Sequence, residues 1–383
     1  MRKWRVLHCP TMVGGNPQAL SRNLNQLGVN STSLAFERTV FAFSADRVLW
    51  RKEESFVRKE FKRLAAVLKS LWGYDLVHYN FGTTLAAPLY PGKPGLGFLM
   101  GLLRRAYSCY GLCLQALELE ARRLSGAPMF VHYQGDDARQ GDYCLRHFEY
   151  TIATEVDDSY YNGSSDEFKR RSIQRISRYC DQVYALNPDL LWVLPKGAKF
   201  TPYGHVDLDD WRPVYPREEN RPLRIGHAPS NRRAKGTDRI LRALDSLKRK
   251  GYSFELELVE GVSNDEARRR YETVDVLIDQ LYAGWYGGLA VQLMALGKPV
   301  LVYLREDDLR FIPSGMKEEL PFVRVTPDTI EEGLRTVLDM PRNDLLALAK
   351  KSRAFVERWH DPLSIAREIK ADYEEALRRR GKL

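Results

Sequence analysis

A single run, Val274 to Val302 (VDVLIDQLYAGWYGGLAVQLMALGKPVLV), contains the pattern of a strand, a glycine-rich loop, a helix and a second strand. Gly284, Gly287 and Gly288 allow tight turns and a close approach of the backbone to a ligand. The helix predicted over residues 288–296 begins with unpaired N–H groups, and the positive end of its dipole favours a diphosphate there. An ordinary βαβ turn without a ligand is the alternative interpretation.

Strand and helix patterns alternate along the whole chain, which indicates an α/β protein with parallel sheets covered on both faces. Strands are predicted at residues 4–8, 76–79, 129–133, 182–185 and 223–227, the last one after a stretch rich in proline and acidic residues at 201–222. Because 383 residues exceed one typical domain, we predict two doubly wound domains, residues 1–205 and 206–360. The charged helical segment 361–383 is expected to pack back across both domains.

The composition narrows the class of protein. A hydrophobic fraction of 44% and a charged fraction of 28% are typical of a folded soluble protein. Five cysteines without a paired framework indicate reduced thiols, and the N-terminus does not resemble a signal peptide, so we expect a cytoplasmic protein. The sequence contains no run of 18 apolar residues that predicts a membrane span.

The net charge of +9 favours an anionic partner, such as nucleotide phosphates, nucleic acid or acidic lipid. Nucleic acid is the least favoured, because the sequence contains no helix-turn-helix, zinc finger or arginine-rich tail. Residues 51–72 have the pattern of a basic amphipathic helix, with Phe56, Phe61, Val67 and Leu68 near one face. Such a helix can contact an anionic membrane, here the inner membrane face, or it can be an outer helix with a solvated basic face.

Four short motifs occur in a recognisable order in the second half of the chain. They are NPDLL at 187–191, PYGHVD at 202–207, KGT at 235–237 and GKPV at 297–300. In this order they resemble the motifs of the retaining family-4 glycosyltransferases, which have the GT-B fold. The resemblance is strong from 187 to 302 and weaker in the first half of the chain.

The resemblance implies a GT-B architecture, in which two Rossmann-like domains face a central cleft. The first domain would face a carbohydrate or lipid-linked acceptor, and the second would bind a nucleoside-diphosphate sugar, with UDP or GDP as the expected nucleotide. The resemblance also implies that the anomeric configuration is retained and that neither a metal nor another cofactor takes part. In that mechanism the departing diphosphate helps to deprotonate the acceptor, so no dedicated general base is required.

Lys235 is the first candidate for catalysis, because a glycosidic bond to a diphosphate breaks more easily when a cation stabilises the growing charge. Arg232 and Arg233 lie beside it in the loop SNRRAKG and can fork onto the same phosphates. The alternative for each of them is a solvated side chain.

The glycine loop departs from the family at two positions. The similar enzymes have Glu at both ends of an E-x7-E spacing, and those positions hold Gly284 and Gln292 here. The amide of Gln292 can still bind ribose hydroxyls, whereas Gly284 leaves the sugar to the main chain or to Asp279 and Gln280 at the strand end. The other residues expected to contact the donor are Gly14, Gly15, Asn16, Trp285, Tyr286, Gly287, Gly288 and Leu289.

A polar cluster follows the predicted strand 129–133 and resembles a family segment that faces the substrates. His132 is the catalytic candidate there, in contact with the donor sugar or the acceptor, and a buried structural histidine is the alternative. The further candidates on the acceptor or sugar side are His78, Asn80, Gln134, Asp136 and Arg139. Asp136 and Arg139 can equally form a structural ion pair.

Several other functions stay open. The departures at Gly284 and Gln292 also fit a GT-B protein that has lost catalysis and serves as a binding or scaffold protein. A nucleotide-sugar epimerase of the same fold would need acidic and basic residues around the sugar, which the sequence does not reveal. The net charge leaves a nucleic-acid-modifying glycosyltransferase as a third alternative. Hydrolases and kinases are disfavoured, because the chain has no nucleophile elbow, zinc-protease motif or P-loop.

Overall fold

The computed structural model describes residues 4–10, 14–38, 44–90, 98–216 and 221–383, and the structural statements below concern these residues. The strands are β1 (Arg5–Cys9), β2 (Asn30–Ala35), β3 (Arg47–Val48), β4 (Leu76–Asn80), β5 (Met129–Tyr133), β6 (Gln182–Ala185), β7 (Lys199–Phe200), β8 (Leu223–His227), β9 (Phe254–Leu258), β10 (Val276–Ile278), β11 (Val300–Val302) and β12 (Val323–Arg324). The α-helices are α1 (Asn16–Gln26), α2 (Phe56–Gly73), α3 (Phe98–Leu124), α4 (Gly141–His147), α5 (Gly163–Ser177), α6 (Arg232–Lys235), α7 (Thr237–Arg249), α8 (Asn264–Thr273), α9 (Gly288–Ala295), α10 (Ser314–Glu319), α11 (Ile330–Leu338), α12 (Arg342–Trp359) and α13 (Pro362–Arg379). Short 3₁₀ helices lie at Ile152–Thr154, Pro188–Trp192 and Glu306–Phe311.

The strands form two parallel sheets. The first has the order β3-β2-β1-β4-β5-β6-β7, and the second has the order β12-β11-β10-β8-β9. Helices connect most successive strands, as parallel pairing requires. The predicted α/β class with two doubly wound sheets is therefore confirmed.

Each sheet has a point at which the strand order reverses. In the first sheet the chain builds outward from β1 on one side and continues with β4 on the other, and in the second sheet β8 and β10 flank the corresponding point. Loops that leave neighbouring parallel strands in opposite directions open a crevice at the carboxyl end of the strands, where α/β proteins bind ligands. The residues that follow β1, β4, β8 and β10 are therefore the first place to look for a site.

The chain divides into two compact units. The first comprises residues 1–140, 161–205 and 362–383, and the second comprises residues 141–160 and 206–361. The sequence-based boundaries differ from this division in one respect within the first half, because residues 141–160 group with the second unit. Tyr150 explains the difference: its hydroxyl donates to Asp328 over 2.6 Å, and its carbonyl accepts a hydrogen bond from Arg305.

Helix α13 covers one face of the first sheet. Alternate residues of β1, β4 and β5 point to this face and form a common core with α1 and α13, in which Tyr373 is fully buried. The hydroxyl of Tyr184 donates to Asp372 of α13 over 2.6 Å, and Lys199 forms an ion pair with the same carboxylate. The C-terminal segment therefore groups with the first unit.

No helix among the described residues is both long enough and apolar enough to cross a membrane. All five cysteines are free thiols in the structure, and Cys9 and Cys144 are buried.

Candidate functional site

Lys235 lies at the switch point of the second sheet, in the loop between β8 and α7. The single turn α6 is capped by Asn231, whose side chain accepts a hydrogen bond from the N–H of Ala234 over 3.0 Å. Gly236 ends this turn in the left-handed region with φ of 79°. A Cβ atom at this glycine would lie 2.9 Å from the ring of Tyr282, so both the backbone angle and the space require glycine.

The ammonium group of Lys235 connects the two loops at this switch point. Its Nζ atom lies 3.1 Å from Oδ1 of Asp279 and 2.7 Å from Oε1 of Gln280, directly after β10. The other oxygen of Asp279 accepts the N–H of Gly287 over 2.7 Å. An ammonium has three donors, so one N–H of Lys235 stays available for a further acceptor, and its side chain is 17% exposed.

The start of α9 is open to solvent, although the rest of this helix is buried. Gly288, Leu289 and Gln292 are half-buried, whereas the next residues of the helix contribute to the core. Among the described residues, no acceptor forms a hydrogen bond with the N–H groups of Gly288 and Leu289. Free N–H groups at a helix start, together with the nearby Lys235, form a suitable environment for an anionic group.

Arg232 and Arg233, the two predicted partners of Lys235, each have a carboxylate of their own. Arg232 forms a two-point ion pair with Glu260, and Arg233 lies 3.0 Å from Asp157. Their side chains are 51% and 63% exposed. Exposed ion pairs of this kind contribute little to stability, so a stronger anion can replace the carboxylates without a large cost.

The first unit has a row of three histidines at its own switch point. His8 of β1, His78 of β4 and His132 of β5 are buried, and their rings stack, with 5.1 Å between the centres of His8 and His78 and 4.8 Å between His78 and His132. Nδ1 of His132 lies 2.8 Å from Nε2 of His78, and Nδ1 of His78 bonds to the hydroxyl of Tyr373. The row therefore links α13 to the carboxyl end of β5.

The direction of these hydrogen bonds follows from the tyrosine. No second partner for the hydroxyl of Tyr373 lies among the described residues, so its hydrogen is satisfied only when it points at Nδ1 of His78. His78 then donates from Nε2 to His132, which carries its own hydrogen on Nε2. The opposite direction would bury an unpaired hydroxyl hydrogen, which costs about 1–3 kcal/mol. The direction assigned here instead leaves the N–H on Nε2 of His132 without a partner among the described residues.

His132 lines a small pocket of the first unit, and its Nε2 atom is buried. This atom has no hydrogen-bond partner among the described residues, and the pocket is also lined by Asn16, Asn80, Gln134 and Gly204. Burial lowers the pKa of His132 to about 3. At neutral pH the ring is thus an uncharged hydrogen-bond donor and a poor proton acceptor.

Solved structures similar to the whole chain share this pair of sheets. A sucrose-phosphate synthase from Thermosynechococcus elongatus is 15% identical with a TM-score of 0.59, over 98% of this chain and 100% of that chain. HepE from Anabaena, in complex with UDP and glucose, is 12% identical with a TM-score of 0.60, over 97% and 100%. The catalytic domain of Starch Synthase IV from Arabidopsis thaliana, bound to ADP and acarbose, is 12% identical with a TM-score of 0.58, over 98% and 100%.

The chain has the GT-B fold. This confirms the fold that the resemblance of the motifs implies. No protein-family model and no curated protein sequence matches the chain.

In this chain with the GT-B fold, Arg305 fills the space beside Gly284, which the sequence did not reveal. A Cβ atom at Gly284, where φ is 77°, would lie 2.6 Å from the guanidinium of Arg305. Arg305 is buried, bonds to Asp308 over 2.8 Å and stacks on Phe148 with 3.6 Å to the ring centre. A guanidinium thus fills the space that a side chain at 284 would need. The only sequence signal was the place of Arg305, three residues after the second strand of the run 274–302.

Asp279 and Gln280 already have partners within the loop. Asp279 holds Lys235 and Gly287, as described above, and the amide of Gln280 donates to the carbonyl of Trp285. Both side chains thus shape the loop, and their contact with a sugar stays a prediction.

The sequence predicts that Trp285 and Tyr286 contact the donor through their main chain, and in the structure the rings of both residues pack inward. Both are fully buried, and the hydroxyl of Tyr286 pairs with Nε2 of His360 over 2.9 Å. Tyr286 also contacts the ring of Phe322, with 4.7 Å between the centres. Burial of these large rings stabilises the loop from beneath, so only the main chain at 285 and 286 can meet a ligand.

Asp136 and Arg139 form the structural ion pair that was the alternative to a substrate contact. Arg139 is buried, and its guanidinium binds both oxygens of Asp189 over 2.7 and 3.2 Å and Asp136 over 3.0 Å. Asp189 belongs to the NPDLL motif, so this pair joins that motif to the loop after β5. A buried arginine with two carboxylates has little capacity left for a substrate.

In the glycine loop after β1, Asn16 forms a hydrogen bond that stabilises the fold. Its Oδ1 atom accepts the N–H of Gly204 over 3.0 Å, which fixes the chain where it leaves the first unit. Gly14 and Gly15 have φ angles of 80° and 69°, and Gly15 precedes α1 without a side-chain cap. The loop is short, and residues 11–13 lie outside the described part.

Asn80 and Gln134 stay close to His132. The amide of Asn80 donates to the carbonyl of His78 over 3.0 Å, and the carbonyl of Gln134 accepts from Asn187 over 2.6 Å. Both side chains line the same pocket as His132. The carboxylate of Asp137 supports this turn by accepting hydrogen bonds from the N–H groups of Gln134 and Gly135, and burial raises its pKa to about 6.

Among the described residues, no group of three or more His, Cys, Asp or Glu side chains is placed to hold a metal ion.

Proposed function

We propose that this protein is a glycosyltransferase that moves a sugar from a nucleoside-diphosphate sugar to a carbohydrate or lipid-linked acceptor. The observation that supports this most is the arrangement of Lys235 beside the open start of α9, at the switch point of the second sheet. Two of the similar GT-B structures, HepE and Starch Synthase IV, were solved with UDP and with ADP. The second unit is then the donor side, and the first unit is the acceptor side.

In this proposal the diphosphate binds at the start of α9. The N–H groups of Gly288 and Leu289 donate to one phosphate, and the free N–H of Lys235 donates to the phosphate that leaves. Asp279 keeps the ammonium in place before the ligand arrives, so no side chain has to be ordered at the moment of reaction. Arg232 and Arg233 exchange their exposed carboxylate partners for phosphate oxygens.

The sugar and the ribose are held by different groups. The half-buried amide of Gln292 lies one helical turn after Gly288 and binds the ribose hydroxyls. Arg305 fills the space beside Gly284, so the main chain of the glycine loop contacts the sugar there. His132 contributes an uncharged N–H from its Nε2 atom to a substrate oxygen.

The stereochemistry and the base follow from the resemblance to retaining enzymes. The anomeric configuration is retained, no metal takes part, and an oxygen of the leaving diphosphate accepts the proton of the acceptor hydroxyl. The low pKa of His132 supports a mechanism without a protein base, because a neutral imidazole with a pKa of about 3 is a weak proton acceptor.

A calorimetric titration with UDP, GDP, ADP, dTDP and CMP tests the donor site. We expect selective binding of one diphosphate, with UDP or GDP preferred, and about a hundredfold weaker binding after Lys235→Ala, since a charge-assisted hydrogen bond is worth roughly 1.5–3 kcal/mol. Lys250→Ala is the matched control: Lys250 follows the opposite end of α7 and pairs with Glu331, and its loss should leave the affinity unchanged.

The titration also distinguishes a second candidate function, a GT-B protein without catalysis that serves as a scaffold. The glycine at 284 and the ion pair of Lys235 with Asp279 favour this candidate, because both reduce the side-chain contacts offered to a donor. Absence of binding for all five nucleotides, in a protein that unfolds cooperatively, would make the scaffold the better proposal.

A further inference from the structure

The outer surface of α2 is apolar where a solvated helix is expected to be polar. Val57, Phe61, Leu68 and Trp72 are all exposed, with 69% of Phe61 and 76% of Trp72 accessible to solvent. Their spacing of four, seven and four residues places them on one side of the helix. The opposite side, which includes Val67, packs on the first sheet. The sequence pattern had placed Phe61, Val67 and Leu68 on a common face, and the structure separates them.

The first turns of α3 expose a second group of apolar side chains. Phe98, Leu99, Met100, Leu102 and Leu103 are all more than half exposed, and Phe98 is 90% exposed. A folded monomer rarely leaves so many large apolar side chains together in water. We call the exposed apolar residues of α2 and α3 the apolar face: Val57, Phe61, Leu68, Trp72, Phe98, Leu99, Met100, Leu102 and Leu103.

Contacts between α2 and α3 hold the two helices together. The ring of Phe56 meets the ring of Tyr107 edge-on, with 5.3 Å between the centres. Glu60 of α2 accepts the hydroxyl of Tyr107 over 2.7 Å and that of Tyr110 over 2.9 Å. Phe56, together with Met100 and Leu103 of the apolar face, lines a single apolar groove.

The charges around the apolar face are mostly positive. Residues 51–73 contain seven basic and three acidic residues; Glu54 pairs with Arg58 and Lys62, and Glu60 pairs with Arg63. Residues 98–117 contain two arginines and no acidic residue. On α2, Arg58 and Lys69 lie beside the apolar stripe, at the helical angle next to Phe61 and Leu68. Both are exposed, and Arg58 pairs with Glu54 over 3.2 Å.

We propose that the apolar face docks the protein on an anionic phospholipid bilayer. Its apolar side chains enter the boundary between headgroups and acyl chains, Trp72 lies at the interface, and the neighbouring basic side chains contact lipid phosphates. A second copy of this chain fits the face less well, because a symmetric contact would bring the basic residues beside both stripes together. Docking of this kind does not depend on the proposed glycosyl transfer, although it suits an acceptor held in a membrane.

Co-sedimentation of the full-length protein with vesicles tests the proposal. We expect binding to phosphatidylcholine vesicles that contain phosphatidylglycerol, and roughly tenfold weaker binding to phosphatidylcholine alone, since apolar and electrostatic contributions act together. The double variant Phe61→Asn, Trp72→Asn should bind the vesicles that contain phosphatidylglycerol at least roughly tenfold more weakly than the wild type does. Its matched control is Leu145→Asn, Val214→Asn, which removes two exposed apolar side chains of the second unit.

A second pair of variants separates local from overall charge. Arg58→Glu with Lys69→Glu should abolish the preference for anionic vesicles, whereas Lys350→Glu with Lys351→Glu on α12 changes the net charge equally and should retain it. Circular dichroism melting of every variant checks that the fold is intact.

Equal sedimentation of the wild type and the apolar variant would overturn the proposal. A wild type that binds anionic and neutral vesicles equally would also overturn it. So would a wild-type dimer in sedimentation velocity that becomes monomeric in the apolar variant, because the apolar face would then bind a second copy of the chain.

Discussion

The switch points of the two sheets carry polar groups of opposite kinds. In the second unit, Lys235 and Asp279 form an ion pair over 3.1 Å, and the ammonium still reaches solvent. In the first unit, His78 and His132 are joined over 2.8 Å, and burial lowers the pKa of both rings well below the usual value. The same position in the fold therefore supports a charged site in one sheet and a neutral site in the other.

The difference shows what each edge can do. A partly exposed cation with its own carboxylate can stabilise charge that develops on a ligand, because its field is present before the reaction starts. Stacked neutral imidazoles cannot supply charge, but they can hold one N–H in a fixed direction. The comparison predicts different responses of the two edges to pH and to substitution.

The largest expected effect is a loss of stability at low pH, caused by the row of three histidines in the first unit. His8 and His132 have pKa values lowered to about 3 by burial, whereas an unfolded histidine titrates near 6.5. Because the unfolded state binds protons first, their stabilising contribution is full above pH 6.5 and falls as the pH drops towards 3. Between pH 7 and 5 we expect a loss of about 2 kcal/mol per histidine, or about 4 kcal/mol for the two. Urea unfolding at both pH values measures it.

His8 offers a control for the acid effect, because neither ring nitrogen has a partner among the described residues. His8→Leu should remove about 2 kcal/mol of the loss and leave the contributions of His78 and His132 in place. An unchanged slope would mean that the histidines are not the groups that titrate.

Lys235→Ala should have the next largest effect on stability. It leaves the fully buried carboxylate of Asp279 without its cation, which we expect to cost about 3 kcal/mol in the free energy of unfolding. Adding Asp279→Asn should recover most of this loss, because an amide is less costly to bury than an unpaired charge. If the double variant were as unstable as the single one, the loss would not come from an unpaired charge.

Gly284→Ala tests the space beside Arg305. We expect a cost of about 2 kcal/mol, from the left-handed backbone angle and from the contact with the guanidinium. In the background of Arg305→Ala only the backbone part should remain, so the two substitutions should be non-additive in a double-mutant cycle. Additive costs would show that Arg305 does not exclude a side chain at position 284.

Tyr373→Phe should have the smallest effect, about 1 kcal/mol, because it removes one buried hydrogen bond. Its more specific consequence is a loss of the fixed tautomer of His132, which ¹⁵N spectra of the histidine rings detect. Tyr184→Phe is the matched control, since it also removes a hydroxyl from this core but not one bonded to a histidine. A His132 spectrum that stays the same in Tyr373→Phe would contradict the proposed direction of the hydrogen bonds.

Much of the fold and two residues of the candidate site could be predicted from the sequence, because they depend on local sequence patterns. The strands 129–133, 182–185 and 223–227 have the predicted bounds, since runs of apolar and β-branched or aromatic residues bounded by turns leave few alternatives. Lys235 and His132 were also predictable as candidates, because each stands in the loop or at the strand end where ligands bind in such sheets.

The missed features depend on contacts between distant parts of the chain. Arg305 lies 21 positions after Gly284, and Tyr373 lies 295 positions after His78, so no periodicity reveals either contact. The inward packing of the Trp285 ring could not be predicted either, because the residue stands among glycines. The segment 141–160 carries no change of composition that would mark its association with the second unit.

Release of nucleoside diphosphate from a nucleotide sugar is the most direct test of the proposed function. The donor is chosen from the nucleotide that binds best, and the release of its diphosphate is followed with and without mixed carbohydrate acceptors. We predict measurable release by the wild type, at least a hundredfold slower release by Lys235→Ala, and an unchanged rate for Lys250→Ala, in line with the loss of a charge-assisted contact to the leaving group. A wild type that binds the nucleotide but releases no diphosphate faster than buffer would contradict glycosyl transfer.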